Sequence, residues 1–314
     1  MAAAAALAAH GRPLSRPNPS VGAIIVAGSR VIGRGVTQAG GRPHAEAVAL
    51  AQAGAAARGA TLYVTLEPCA HASARGPACA DLVAAAGPAR VVIGLIDPDT
   101  RTAGAGVARL RADGIAVDVL DHTAARASLA GFVLRTTEAR PHVTLKLATS
   151  LDGRIALASG ESRWITGPVA RAHVHALRAR ADAILVGGGT LRADGPALDV
   201  RLPGLTDRNP QRWVLTHGTA PPGWQAVSDI AARDAFGAAQ YLLVEGGAGA
   251  AATFLAADRV DRLMIYRAPI LIGAGHPAVA DIGLHHLADA HGHWHHVARQ
   301  GLGSDTLDIY DRTR

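Results

Sequence analysis

Four residues in the first quarter of the chain could do chemistry together: His44, Glu46, Cys69 and Cys79. The 314 residues include only two cysteines, and both lie in TLEPCAHASARGPAC (Thr65 to Cys79), soon after the His-x-Glu of RPHAEAVAL. Two thiols in so long a chain make no disulfide framework, and in a reducing compartment a close pair is ligand or catalyst before it is a crosslink. One imidazole and two thiolates supply three zinc ligands and leave the fourth tetrahedral position to water, the arrangement of a catalytic site. Such a site generates hydroxide near neutral pH. Glu46, two residues beyond His44, is expected beside that water as a proton carrier and not as a ligand. Singly, a helix histidine is most often solvent-facing and a cysteine an inert buried thiol; the joint placement carries the argument.

The elements that must position these residues are legible in the alternation of β-branched runs with alanine-rich segments between Val21 and Leu120, the trace of an α/β sandwich. VGAIIV and VIGRGV, separated by AGSR, read as a hairpin. His44 to Ala57 reads as a helix, ATLYVTL as the buried strand that delivers Cys69, and Pro77 to Ala86 as a helix opening near Cys79. ARVVIGLI is a further strand, with a short helix over Val107 to Ala112 before IAVDVL. A helix through Phe132 and Leu134 closes the unit.

The length suits two domains, and TEARP (Thr137 to Pro141) is the best linker, dividing the chain into residues 1–139 and 140–314. A hydrophobic fraction of 49% against 18% charged residues places the chain among globular proteins. No run is long enough to span a membrane, and MAAAAALAAHG lacks the basic start of a secretory signal, so a cytoplasmic location is expected. The net charge of +6 suits an anionic small substrate, and no long Lys/Arg block accompanies it. An RNA-binding or RNA-editing module is disfavoured, because base stacking wants aromatics and only 4% of the residues are aromatic. In the second half, YLLVEGGAGAAATFL and AILVGGGT each run from a strand through glycines toward a helix, a geometry that can present backbone N–H groups to a pyrophosphate. HGHWHH sets His291, His293 and His295 at strand period, read as the polar face of an exposed edge strand.

With these residues in view, the chain resembles the bifunctional deaminase/reductase family of riboflavin biosynthesis. RPNPSVG, RPHAEAVAL and TLEPCAHASARGPAC are followed in the family's order by DPDTRTAGAG, GFVLR, LKLATSLDGR, GESRWIT, GGGTLRADGPALDVR and LLVEGGAG. Zinc deaminases of nucleobases share the His-x-Glu and Pro-Cys pattern, but relatives acting on transfer RNA or cytidine compounds space their cysteines by two residues. The resemblance implies a cytidine-deaminase-like three-layer αβα domain followed by a dihydrofolate-reductase-like α/β domain. It implies zinc-dependent deamination of 2,5-diamino-6-(phosphoribosylamino)pyrimidin-4-one, then reduction of the ribosyl group to ribityl by NADPH, in a homodimer or homotetramer that binds neither nucleic acid nor membrane.

Residue by residue, the resemblance implies that His44, Cys69 and Cys79 bind Zn2+, Glu46 moves protons, and Asn18 and Arg75 hold substrate, Arg75 by its phosphate. Ala148, Trp164, Thr190, Asp194, Gly247, Ala248, Gly249 and Thr253 would contact NADPH. Ser162, Arg178, Leu198, Arg201 and Glu245 would contact the second substrate, with Lys146 and Asp152 lining the reductase cleft. The chain departs from the pattern in two places. The loop between the cysteines is one residue longer than is usual, without the Gly-Lys/Arg-Thr-Pro-Pro wording. The segment between WVLTHG and LLVEGG is short, and His217 stands where serine is common, so a deaminase with a degenerate reductase domain is the alternative expectation.

Overall fold

In the computed structural model, which describes residues 1–71, 75–100 and 102–314, the alanine-rich start forms α1 (Ala2–Gly11). The hairpin follows as β1 (Gly22–Ala27) and β2 (Arg30–Val36), paired antiparallel. Two glycines set how closely helices cover it. A Cβ on Gly22 would strike the carbonyl oxygen of Ala4 in α1, and one on Gly35 the carbonyl oxygen of Ala45 in α2 (Ala45–Ala53). Gly22 and Gly35 point to opposite faces, since Gly35 pairs with Ala23 and neighbours along a strand alternate. The sheet is therefore sandwiched between helices.

The first unit, Met1–Ala139, continues with β3 (Thr61–Val64), α3 (Cys79–Ala86), β4 (Arg90–Ile93), α4 (Ala105–Ala112), β5 (Ala116–Val119) and α5 (Thr123–Glu138). Its strand order is β2-β1-β3-β4-β5, with β3, β4 and β5 parallel. α1 packs with α5, and α2 with α3 and then α4, which makes three layers. Ile25, Leu62, Val64, Val91, Ile93, Leu110 and Leu129 form the core. Helix α2 stops at Ala53, short of the expected Ala57, because Gly54 turns to φ 56° and a 3-10 turn follows. Helix α4 starts two residues earlier than its apolar pattern suggests, because the buried Glu67 carboxylate accepts from the amides of Gly104 and Val107 at its start.

The second unit, Arg140–Arg314, contains β6 (His142–Thr149), β7 (Arg154–Ala156), α6 (Pro168–Arg178), β8 (Ala183–Gly187), α7 (Gly188–Asp194), β9 (Gln211–Leu215), β10 (Gln225–Val227), β11 (Tyr241–Val244), α8 (Ala248–Ala256), β12 (Arg262–Arg267), β13 (His276–Pro277), β14 (Trp294–Leu302) and β15 (Asp305–Arg312). Eight strands form one sheet in the order β10-β9-β8-β11-β6-β12-β15-β14. The first six are parallel, and β15 and β14 are antiparallel. Strand β6 alternates half-buried and buried positions. Val143, Leu145 and Leu147 pack with Phe254 of α8, while Ala148 joins Tyr266 beside Ala170 and Val174 of α6. Lys146, two positions from Ala148, is thereby committed to the α6 face.

The short segment before β11 yields only β10, which lies at the sheet edge. The expected histidine stripe does not form. A 3-10 turn over Leu287–Ala290 is capped by His291, Gly292 adopts φ 80°, and β14 begins only at Trp294, so of the three only His295 lies in the strand. The His293 ring nitrogen Nε2 instead lies 2.7 Å from Asp289 O.

Candidate active sites

Each ligand of the first site comes from the end of an element. His44 is the residue before α2, Cys79 is the first residue of α3, and Cys69 lies in the loop after β3. His44 Nδ1 is 3.2 Å from Cys79 Sγ and 3.7 Å from Cys69 Sγ. The three donor atoms lie within 4.8 Å of one another, and among the described residues no other group of three His, Cys, Asp or Glu does so. Zinc with bonds of about 2.0 Å to nitrogen and about 2.3 Å to sulfur holds such ligands roughly 3.5 Å apart, so the triangle fits that ion. The Cys79 amide donates to Cys69 Sγ at 3.4 Å. The thiol of Cys79 hydrogen-bonds to Cys69 and, against the cost of burial and with His44 alongside, brings Cys69 down to about 4, a thiolate. The same bond and burial push Cys79 up.

Glu46, in the first turn of α2, is 3% exposed. Burial lifts its carboxyl to about 7, against the opposing pull of a backbone amide and of His44. Proton transfer is fastest for a group whose pKa lies near the working pH. Asn18 Nδ2 donates to Gly41 O at 3.1 Å, and the same amide group lies 3.2 Å from His44 Nε2. A cavity of about 360 Å³ opens over these groups, lined also by Arg42, Glu67, His71, Arg75, Asp97, Asp99 and Phe132. Arg75 sits at its mouth, where Nη1 donates to Gly40 O at 3.2 Å. The structure thus gathers Asn18, His44, Glu46, Cys69 and Arg75 at one cavity and adds Glu67, Asp97 and Asp99, which lie within quoted motifs without having been singled out as site residues. Glu67 was visible only as a neighbour of Pro68 and Cys69; its bonds run to Asp97, Gly104 and Val107, well downstream.

In the second unit, β8 and β11 are parallel neighbours, so the segments that follow them, α7 directly and α8 after Gly246 and Gly247, leave the same edge of the sheet. The Gly247 amide donates to Thr190 Oγ1 at 3.1 Å, tying the two together. Gly247 precedes α8, whose first turn carries Ala248 and Gly249; the Thr253 hydroxyl donates to Gly249 O at 3.0 Å. Asp194 ends α7, and its carbonyl accepts from Arg163 at 2.6 Å. Trp164 is 64% exposed, with the Arg171 guanidinium 4.7 Å from its ring centroid. Ser162 is half-buried in the same loop.

Below this edge lies a charged network. Arg178 Nε and Nη2 donate to Glu245 Oε1 and Oε2 at 2.7 and 2.9 Å. Lys146 Nζ approaches Glu245 Oε2 at 3.7 Å and stands 5.9 Å from the Tyr266 ring centroid. Burial would raise Glu245, but Lys146 and Arg178 outweigh it and hold the carboxyl low. Tyr266, which the motifs did not single out, lies 2.7 Å through its hydroxyl from His173 Nδ1.

Three further expected cleft residues have the following surroundings. The Leu198 side chain is buried among Ile184, Val186 and Leu243 with φ 54°. Asp152 is an exposed turn carboxylate whose oxygens accept from Ser150 Oγ and from the amides of Ile272 and Gly273, bonds that lower it to about 2. It pins the loop after β12. Arg201 is largely exposed and faces Asp199 at 3.3 Å.

Residues 1–95 match the cytidine and deoxycytidylate deaminase zinc-binding region, and residues 141–240 and 235–298 match the RibD C-terminal domain. The riboflavin biosynthesis protein RibD of Escherichia coli is 39% identical over 92% of both chains. The chain belongs to the RibD family. The RibD of Mycobacterium tuberculosis is likewise 39% identical, over 93% of this chain and 90% of its own. The solved structure of Acinetobacter baumannii RibD superposes with a TM-score of 0.87 at 32% identity, over 99% of this chain and 97% of that one. A Thermotoga maritima deaminase/reductase gives 0.85 at 30% identity, with the same coverage. As a RibD protein the chain is bifunctional, a deaminase zinc-binding domain joined to the RibD C-terminal reductase domain. No helix of the described residues is long and apolar enough to cross a membrane.

Proposed function

We propose that the first unit deaminates 2,5-diamino-6-(phosphoribosylamino)pyrimidin-4-one and that the second reduces the ribosyl group of the product to ribityl with NADPH. The observation that carries the reading is the triangle of His44, Cys69 and Cys79 with a buried carboxyl, Glu46, beside it. Zinc, when bound, supplies a Lewis acid that activates water near neutral pH. Glu46 accepts the proton of the attacking water and returns it to the departing amino group, so that water is consumed and ammonia leaves. Asn18 steadies His44 and faces the pyrimidine, and Arg75 takes the phosphate, which a guanidinium grips through two parallel bonds.

In the second unit the reading gives NADPH to Ala148, Trp164, Thr190, Asp194 and the start of α8 from Gly247 to Thr253. The first turn of α8 presents backbone N–H groups to the pyrophosphate. Ser162, Arg178, Leu198, Arg201 and Glu245 hold the deaminated substrate. Lys146 lines the cleft and keeps Glu245 ionised, and Asp152 acts through the loop it anchors. The enzyme works as a homodimer or homotetramer in the cytoplasm, where thiols stay reduced and available to zinc.

A coupled assay on the full chain tests this: ammonia release from the diaminopyrimidinone phosphate, then NADPH oxidation that depends on the product. Zinc-loaded protein that releases no ammonia sinks the first step. Ammonia release without NADPH consumption sinks the second.

A further inference from the structure

Arg42 stands on the wall of the deaminase cavity. Among the described residues it forms no ion pair, and its Nε is buried without a hydrogen-bond partner. Its guanidinium lies against Gly76, where an added Cβ would stand 3.2 Å from Nη1. A buried donor left without an acceptor, as Nε is here, costs free energy unless an acceptor arrives.

Arg42, His44 and Arg75 line two adjoining cavities. The first, over the zinc ligands, carries Glu46, Glu67, Asp97 and Asp99, acceptors suited to the amino groups of a pyrimidine. The second, of about 270 Å³, is bounded by Arg42, Arg75, Pro43, Ala47, Gly76, Pro77, Cys79 and Leu82, with no carboxylate among the described residues of its wall. Two guanidinium groups and no acid make it selective for an anion. Helices α2 and α3 both begin beside it, and their N-terminal ends add to the positive potential.

We propose that this second cavity is the phosphate subsite of the deaminase and that Arg42 closes on the phosphomonoester together with Arg75. The proposal rests on the deaminase reading above. It makes Arg42 a specificity-determining residue that selects the phosphorylated pyrimidine over its dephosphorylated nucleoside, the ribose passing from the acidic cavity to the basic one.

The test uses the zinc-loaded full chain without NADPH and follows ammonia release. Arg42→Gln is expected to raise KM for the phosphorylated substrate by about tenfold to a hundredfold, the worth of a hydrogen bond to a charged group. kcat, zinc content and KM for the dephosphorylated nucleoside stay unchanged, and competitive inhibition by inorganic phosphate weakens in step. Equal changes for both substrates, or no change in KM, overturn the proposal, as does inorganic phosphate that binds here without competing with substrate. If Arg42→Gln loses zinc, Arg42→Lys decides: it keeps the charge but not the planar fork, so a smaller rise in KM is expected and none overturns the assignment. A wild type that deaminates neither compound sinks the deaminase reading itself. Phosphorus NMR of inorganic phosphate then judges Arg42 alone: weaker binding by Arg42→Gln supports the subsite, and equal binding overturns it.

Discussion

Arg178 and Glu245 meet fork to fork, with donor–acceptor distances of 2.7 and 2.9 Å and both side chains largely shielded from water. Glu245 follows β11 and leads into the glycines before α8, whereas Arg178 ends α6 and also donates to Asp199 O at 3.0 Å. The pair therefore ties the helix covering one face of the sheet to the turn that starts the proposed cofactor site. With Lys146 it forms a preorganised charged floor, and the two cations keep Glu245 ionised despite burial.

Arg178→Met leaves Glu245 with Lys146 alone. Removing one partner of a buried pair costs about 3–5 kcal/mol, because the remaining charge loses its compensation. The expected outcome is loss of substrate-dependent NADPH oxidation and a lower unfolding midpoint for the second unit, with zinc content and ammonia release retained. Denaturant unfolding followed alongside both assays checks it; an unchanged unfolding midpoint would show that the pair contributes no net stability.

How much of this was legible in sequence depended on whether a residue acts through its type or through its neighbours in space. His44, Cys69, Cys79 and Glu46 stood out because zinc chemistry admits few side chains and the motif supplies them at element ends. Glu67 did not, because a buried acid whose partners are amides of a distant loop leaves no local pattern. Arg42 was hidden among 31 lysines and arginines, and only the cavity wall separates it from a solvated surface charge. Nor does the sequence show that Leu198 is buried at positive φ. The histidine stripe failed because period-two spacing means nothing across a 3-10 turn and a glycine at φ 80°.

Glu46→Gln keeps the size of the side chain and removes its ability to carry a proton. Because Glu46 is separate from the three clustered ligands, zinc is expected to remain bound at the wild-type ratio. Deamination should fall by about 10²–10⁴, the range for a positioned acid/base group, while reduction of supplied deaminated intermediate proceeds at the wild-type rate. Metal analysis paired with the two half-assays separates these effects, and a variant that still releases ammonia at the wild-type rate would remove Glu46 from its role.

Asp97 carries a pH-dependent cost. Its carboxyl is buried near Asp99 and Glu67, and burial above all lifts it to about 6, although Oδ1 accepts from the Asp99 amide at 2.9 Å. The folded chain therefore retains a proton that the unfolded chain releases near the ordinary carboxylate value. The penalty is absent below that value, grows as pH rises toward 6 and is complete above it. Asp97→Asn keeps an oxygen for the Asp99 amide and has no charge to bury. It is expected to stabilise the first unit by about 1 kcal/mol near pH 8, after allowance for solvent screening, and to make no difference near pH 4. Urea unfolding at both pH values decides the matter, and equal effects at the two would rule out titration of Asp97 as the cause.

Thr190 joins the two segments on which cofactor binding depends in the proposed function. Its Oγ1 accepts from the Gly247 amide at 3.1 Å, and Gly247 is the residue before α8. The short segment before β11 leaves only β10 outside β9, so on the proposed reading the β8 and β11 turns hold the nicotinamide nucleotide with little help from that side. Thr190→Val preserves shape and removes the acceptor, freeing the Gly247 amide from its position. The loss of one hydrogen bond is worth about 1 kcal/mol, so KM for NADPH should rise about fivefold with kcat nearly unchanged, because the chemistry lies elsewhere in the cleft. Steady-state NADPH oxidation with the deaminated substrate supplied in excess measures both constants. A fall in kcat at constant KM would move Thr190 from holding the cofactor to acting on the transferred hydride's path.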